Sequence, residues 1–307
     1  MALLIVAPNR DTRAVREHLQ QLDPQLDVRL WPDLGDPAEI DFAVLWKHPP
    51  GTLAQLPGLR AVSSYGAGVE SILNDPELPP ALPVGRISGP RLAADMAEFV
   101  AAVVIARHRG LWGFREDQQA RRWRPWAPEQ LPVIGLLGSG KMGAAVAKVF
   151  LALGYPVHAW SRSGSAPAGV EGHAGDAGLA SMAGMVDYLV CLLPLTDQTR
   201  DRLNADLFAR MRRGAYLINV GRGEHLVEDD LLQALDSGQL GGAYLDVFRQ
   251  EPLPPAHPFW DHPQILMSPH CASYTLPREA ARLMLESYQR VQRGELPLDA
   301  VDRSAGY

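Results

Sequence analysis

The sequence predicts an α/β protein made of two doubly wound parallel-sheet domains. Three observations predict it. Apolar runs of strand length alternate with helical patterns almost throughout, as βαβ units do. A glycine-rich loop, G-x-G-x-x-G at residues 138–143, stands directly between one such strand and an apolar helix. At 307 residues, 47% of them hydrophobic and 21% charged, the chain is long enough to bury two cores of ordinary globular composition.

The elements follow in order. ALLIVAP reads as a short buried strand, and residues 11–22 as a helix capped by Asp11 or Thr12. DVRLW, FAVLW and LRAVSSY are further strands. These make a first domain over residues 1–97. A helical stretch from Asp95 to Arg109 leads away from it. The segment RRWRPWAPEQLP follows, whose prolines and bulky side chains suit an arm more than a core element. The second domain, residues 98–275, opens at VIGLLGSGKMG and continues through strands near YPVHAW, DYLVCLLP, GAYLINV, GAYLDVF and ILMSPH. Glu228, Asp229 and Asp230 begin one of its helices, where acids complement the positive end of the helix dipole, and Gly238 lies past its end. The last helix, TLPREAARLMLESYQRVQRG, is expected to return to the first domain, so residues 276–307 are assigned to it. There is no internal repeat and no low-complexity tract.

Composition excludes several function classes. A net charge of −6 argues against a nucleic-acid partner, which would want a basic face. Two cysteines, Cys191 and Cys271, make no disulfide framework and point to a reducing compartment. No apolar run approaches the about 20 residues of a membrane span. The start, MALLIVAPNR, lacks a basic leader and a cleavage site, so a cytoplasmic protein is expected. No metal site is expected, and Cys271 is expected to be a small buried hydrophobe.

In its strand–loop–helix context the glycine loop has physical work for each glycine: a tight turn, a close backbone approach to a pyrophosphate, and close packing of helix on strand. Gly138, Ser139, Gly140, Lys141, Met142 and Gly143 are therefore expected to cradle a dinucleotide. The next strand, YPVHAW, ends about twenty residues after the glycines, where NAD enzymes place an acid for the ribose hydroxyls. Here there is none; from Gly143 to Glu171 the chain has no Asp or Glu. It offers Ser161, Arg162 and Ser163 instead. A guanidinium pairs with phosphate oxygens through charge-assisted hydrogen bonds, so NADP(H) is preferred over NAD(H).

Three polar residues stand just beyond predicted strands: Arg222 after LINVG, Glu251 after YLDVF and His270 after ILMSP. In open α/β sheets ligands bind outside the carboxyl ends of the strands, here in a cofactor and substrate crevice expected between the two Rossmann-like domains. The three types fit reduction of a 2-oxo acid. Arg222 can hold the carboxylate and polarise the carbonyl. His270 can give the proton, and Glu251 can orient its ring and favour the imidazolium.

The runs GLLGSGKMG, LINVGRG, LDVFRQEPLP and SPHCA, in this order, resemble the D-isomer-specific 2-hydroxyacid dehydrogenases over nearly the whole chain. WSRS, VEDDLLQALDSG, EPLPP and the closing VDRSAGY are most similar to members that reduce glyoxylate and hydroxypyruvate. The resemblance implies that Arg222, Glu251 and His270 are catalytic, with Arg222 and His270 also touching substrate. It implies that amides around Ala67 and Gly68, in YGAGVE, meet the substrate carboxylate. Leu193, Pro194, Thr199, Val220 and Gly221 are implied near the cofactor, and Asp246 near the nicotinamide carboxamide. It further implies a homodimer joined through the cofactor domain, with an arm around Trp123 and Trp126 embracing the partner. The chain departs from the W-H-P-P of those members: it reads Trp46, Lys47, His48, Pro49, Pro50, and Lys47 is expected to bear on which oxo acid fits.

The activity expected is NADPH-dependent reduction of glyoxylate to glycolate and hydroxypyruvate to D-glycerate. Two alternatives stay open. One is a family member with a different oxo acid; a phosphoglycerate dehydrogenase is disfavoured by the lack of a further domain after residue 307. The other is a non-catalytic nucleotide-sensing protein akin to the family's corepressors, which the Arg222, Glu251 and His270 set counts against.

Overall fold

The structure, a computed structural model, describes residues 1–303 and 306–307. Ser304 and Ala305, within the closing VDRSAGY run, lie outside the described residues. The chain divides into two compact units, Met1–Pro90 with Thr275–Tyr307, and Arg91–Tyr274.

The first unit begins with β1 (Ala2–Val6), α1 (Arg13–Leu22), β2 (Asp27–Leu30), β3 (Ile40–Leu45), β4 (Ala61–Ser64), α2 (Glu70–Leu73) and β5 (Val84–Arg86). Its five strands are all parallel, in the order β2-β1-β3-β4-β5. A parallel sheet covered on both faces needs strands that are apolar on both sides. β1 and β3 are accordingly buried at every position. Leu3 and Ile5 face one core; Ala2, Leu4 and Val6 face the other. At the start of α1 the Thr12 side chain makes no cap bond. Asp11 serves instead: its Oδ1 accepts from the Arg13 N–H at 3.1 Å.

The second unit contains most of α3 (Pro90–His108), then α4 (Leu111–Gln119), β6 (Ile134–Leu137), α5 (Lys141–Ala152), β7 (Val157–Trp160), β8 (Glu171–His173), α6 (Gly175–Ala183) and β9 (Tyr188–Cys191). It continues with α7 (Ala205–Arg210), β10 (Ala215–Asn219), α8 (Glu228–Asp236), β11 (Leu240–Leu245) and β12 (Ile265–Met267). The division at Pro90 falls before the expected residue 97 because α3 starts earlier than the apolar pattern suggests. Pro90 opens it, with a fixed φ and a missing N–H that both suit the first helical position. The seven parallel strands run β12-β11-β10-β9-β6-β7-β8, a dinucleotide-fold order with one strand added. The order reverses between β6 and β9, so the loops after these two strands part there and leave room for a ligand.

The final helix, α9 (Pro277–Gln292), belongs to the first unit. Its apolar stripe, including Ala281, Met284 and Tyr288, packs with Val15 and Leu19 of α1 and with Phe42 of β3. The Tyr288 ring meets Phe42 edge-on at 6.1 Å. No helix among the described residues is long and apolar enough to cross a membrane.

Phe150 of α5 is fully buried against the second sheet and meets Tyr155 edge-on at 5.3 Å. Phe150→Ala is expected to cost about 3–5 kcal/mol, by lost burial and an unfilled cavity. Chemical denaturation of the two proteins checks this; coincident transitions would contradict it.

Candidate active site

The glycine loop joins β6 to α5. Gly138 has φ +109°, a conformation open to glycine and hard for other residues, and it turns the chain sharply out of the strand. A Cβ on Gly143 would lie 2.0 Å from the Gly138 carbonyl oxygen, so the helix reaches the turn only because Gly143 has none. Gly140 is the residue before α5, and a Cβ there would meet nothing within 4 Å. That open face lies at the N-terminus of a twelve-residue helix, where the helix dipole and the first N–H groups favour anions. Ser139, Lys141 and Met142 complete the loop. The residues fit a pyrophosphate.

At the end of β7, Ser161, Arg162 and Ser163 form a tight turn. The Ser161 carbonyl accepts from Gly164 N–H at 3.2 Å, and Ser161 Oγ donates to the Ser165 carbonyl at 2.9 Å. Arg162 and Ser163 are exposed on this turn. After β9, Thr199 fastens the loop through Leu193 and Pro194: its hydroxyl donates to the Pro194 carbonyl at 2.7 Å and accepts from Thr196 N–H at 2.9 Å.

Arg222 follows β10 through Val220 and Gly221, on a loop with its own fixed bonds. Buried Asn219 donates from Nδ2 to the Arg222 carbonyl at 2.9 Å, and its Oδ1 accepts from Gly221 N–H at 3.2 Å. Fully buried His225 braces the same turn. Its Nδ1 accepts from Arg222 N–H at 3.1 Å, which places the proton on Nε2, 3.3 Å from the Pro194 carbonyl. One imidazole thus ties the Arg222 loop to the loop after β9. A Cβ on Gly223 would lie 1.9 Å from the Phe248 carbonyl carbon, so this loop sits directly on the end of β11.

The remaining groups come from the ends of β11 and β12. His270 Nδ1 lies 3.0 and 2.9 Å from the two carboxylate oxygens of Glu251. A carboxylate only accepts, so Nδ1 carries a proton and Nε2 faces away from Glu251. Glu251 is itself held, its Oε1 accepting from Phe248 N–H at 3.2 Å. His270 has φ +53°, a left-handed backbone unusual outside glycine. Its N–H donates to the Asp246 carbonyl at 2.8 Å. The buried Asp246 carboxylate accepts from Ser268 Oγ at 2.6 Å, Cys271 N–H at 2.8 Å and Ala272 N–H at 2.9 Å. It organises the turn that aims His270.

Cys271 corrects an expectation: it is exposed, because it follows β12 on the loop rather than inside the strand. Its thiol is pushed up by partial burial and by the Asp246 charge. Cys191 is buried in β9, which pushes its thiol up to about 12. Neither is set up as a thiolate nucleophile.

The first unit brings a second group together at the carboxyl end of its own sheet. Lys47 follows β3 with φ +46° and is exposed. Ala67 and Gly68 follow β4; Ser64 Oγ donates to the Gly68 carbonyl, and Gly66 N–H donates to Ser64 Oγ at 3.3 Å. Arg10, after β1, lies over the rings of Trp46 at 4.5 Å and Tyr65 at 5.1 Å. His48 and Asp75, both buried, pair at 2.7 Å and anchor the Lys47 turn. Arg10, His48, Asn219 and His225 escape a reading of the sequence alone. Arg10 could have been found by the rule that finds Arg222, a charged residue just past a strand. Trp123 is 95% exposed and Trp126 56% exposed, on the segment after α4.

Residues 101–272 match the NAD binding domain of the D-isomer specific 2-hydroxyacid dehydrogenases. The glyoxylate/hydroxypyruvate reductase A of Serratia proteamaculans (strain 568) is 41% identical over 296 residues, 94% of each chain. Among solved structures, a D-isomer specific 2-hydroxyacid dehydrogenase from Xanthobacter autotrophicus Py2 in complex with NADPH and MES superimposes with TM-score 0.93 at 37% identity, over 100% of this chain and 99% of the other. An NADPH-dependent glyoxylate/hydroxypyruvate reductase from Sinorhizobium meliloti, with NADP and sulfate, gives 0.92 at 34% identity over 100% of both chains. The chain belongs to the D-isomer specific 2-hydroxyacid dehydrogenase family, and it is an oxidoreductase.

His225→Phe keeps ring volume and removes both bonds to the loops. It is expected to lower kcat/KM by up to about 100-fold through misplacement of Arg222, with the fold retained. Steady-state kinetics beside a circular dichroism melt check this; unchanged kcat/KM would show that Arg222 needs no such brace.

Proposed function

We propose that this chain reduces small 2-oxo acids with NADPH, taking glyoxylate to glycolate and hydroxypyruvate to D-glycerate. The observation that carries the reading is the His270–Glu251 pair at 2.9 Å on the loops next to Arg222, at the carboxyl edge of a dinucleotide-type sheet. The similarity to the Serratia proteamaculans glyoxylate/hydroxypyruvate reductase A, and to the Sinorhizobium meliloti reductase solved with NADP, supports it.

The cofactor is NADP(H). The glycine loop receives the pyrophosphate, and Ser161, Arg162 and Ser163 receive the 2′-phosphate where an acid would repel it. Leu193, Pro194, Thr199, Val220 and Gly221 lie near the cofactor, with Asp246 toward the nicotinamide carboxamide. Bound there, the cofactor supplies a hydride to the carbonyl carbon. Arg222 holds the substrate carboxylate and draws density toward the carbonyl oxygen. His270 would give a proton from Nε2 to that oxygen, its Nδ1 staying bonded to Glu251. Glu251 holds the ring through Nδ1 in both protonation states. Backbone amides at Ala67 and Gly68 meet the substrate carboxylate, and Lys47 selects among oxo acids by adding a positive charge. The active species is a homodimer, with the Trp123 and Trp126 segment reaching the partner, in the cytoplasm.

Initial rates with NADPH and with NADH, on glyoxylate and on hydroxypyruvate, test the reading. Turnover with NADPH well above that with NADH is expected; none with either cofactor would overturn it. Arg162→Ala should raise the KM for NADPH and leave that for NADH nearly unchanged. An equal effect on both would remove the 2′-phosphate role.

His270→Ala should lower kcat by about 10²–10⁴-fold, the usual worth of a general acid. Equal kcat values for the two proteins would refute the role of His270.

A further inference from the structure

Two histidines and a glutamate meet on the edge of the second sheet, beside the turn after β7 and at the opposite end of the sheet from the strands that lead to Glu251 and His270. β7 and β8 pair in parallel with His158 opposite Glu171 and Trp160 opposite His173. Side chains alternate along a strand, so all four of these residues project from one face. His158 Nδ1 and His173 Nε2 lie 3.0 Å apart. The Glu171 carboxylate approaches both, 3.6 Å from the first nitrogen and 3.9 Å from the second. The two imidazoles are largely buried and the carboxylate is mostly exposed. The side holding Glu171 is thus the one open to solvent.

We propose that His158, Glu171 and His173 form a binding site for a divalent transition-metal ion of the zinc type. Two imidazoles and one carboxylate, with a position left for water, are a donor set that suits zinc. Ligands at about 2.0–2.1 Å from a single ion stand roughly 3.0–3.5 Å from one another. The two nitrogens already have that spacing, and the exposed carboxylate reaches it by a small rotation. A hydrogen bond between the imidazoles would account for the nitrogen contact and an ion pair for the approach of the carboxylate; a single ion between the three accounts for both at once. The strands supply the register and the ion would clamp them, since β8 is a three-residue edge strand whose one sheet partner among the described residues is β7. The clamp lies next to the Ser161 turn, whose N–H donates to the His173 carbonyl at 3.0 Å.

Untagged full-length protein, stripped with a chelator, is titrated with zinc by calorimetry. One tight site per chain is expected. His158→Gln and His173→Gln should each weaken it by more than about 100-fold, beyond the effect of losing an outer-shell partner, and Glu171→Gln by at least about 10-fold. Retention of the same site in all three variants, or no zinc bound by the wild type at micromolar concentration, would overturn the proposal. If a variant fails to fold, anomalous scattering at the zinc edge from crystals of the wild type decides. A peak between the three side chains supports the site, and zinc found only elsewhere refutes it. None of these readouts depends on catalytic activity.

Discussion

Every strand in each sheet runs parallel to its neighbours, and that single constraint organises the molecule. A parallel strand can be followed by another only after a crossover, so each strand ends at the same edge and hands the chain to a loop there. In the second unit this brings the loops after β6, β7, β9, β10, β11 and β12 to one rim. The residues proposed to carry the chemistry are far apart in sequence, yet each stands within six residues of the end of a strand: Arg222 after β10, Glu251 after β11 and His270 after β12. The backbone hydrogen bonds of the sheet fix the rim, and the loops need fix only the last few ångströms.

Those last few ångströms are set by buried polar groups, each with its partners in place. Asp246 gathers Ser268, Cys271 and Ala272 and so holds the left-handed turn at His270. His225 ties the Arg222 turn to Pro194. Asn219 closes the same turn from inside the sheet. An unpaired polar group in these positions would cost about 1–3 kcal/mol, so each satisfied network favours one arrangement of its loop and gives side chains such as Arg222 a fixed base. Glycines play the complementary part. Gly143 and Gly223 let backbone approach backbone where any side chain would force the loops apart.

The edge formed by β7 and β8 obeys a different logic. It carries short strands, polar residues and two imidazoles in contact, where an edge of the sheet would ordinarily be blunted by charge. The turn after β7 is the same one that carries Ser161, Arg162 and Ser163. Whatever restrains β8 therefore restrains that turn, through the Ser161 N–H bond to the His173 carbonyl.

The sequence by itself determined the strands that are buried on both faces, because such strands read as unbroken apolar runs. It determined the glycine loop, because the spacing of its glycines is a steric requirement. It also placed Arg222, Glu251 and His270 past strand ends and showed the missing acid after YPVHAW. Only the tertiary structure decided the rest. β5 and β8 have three residues each, and VGR and EGH carry too little pattern to be strands without a neighbour to pair with. The start of α3 at Pro90 moved the unit boundary, and the loop geometry after β12 exposed Cys271 where composition suggested burial. His225 reaches Pro194 and Asp246 reaches Ser268, Cys271 and Ala272 across more than twenty residues of chain, and His158 meets His173 across fifteen. A linear pattern encodes periodicity and local sterics. It does not encode which buried donor finds which acceptor, because that is settled when the sheets bring distant loops to one edge.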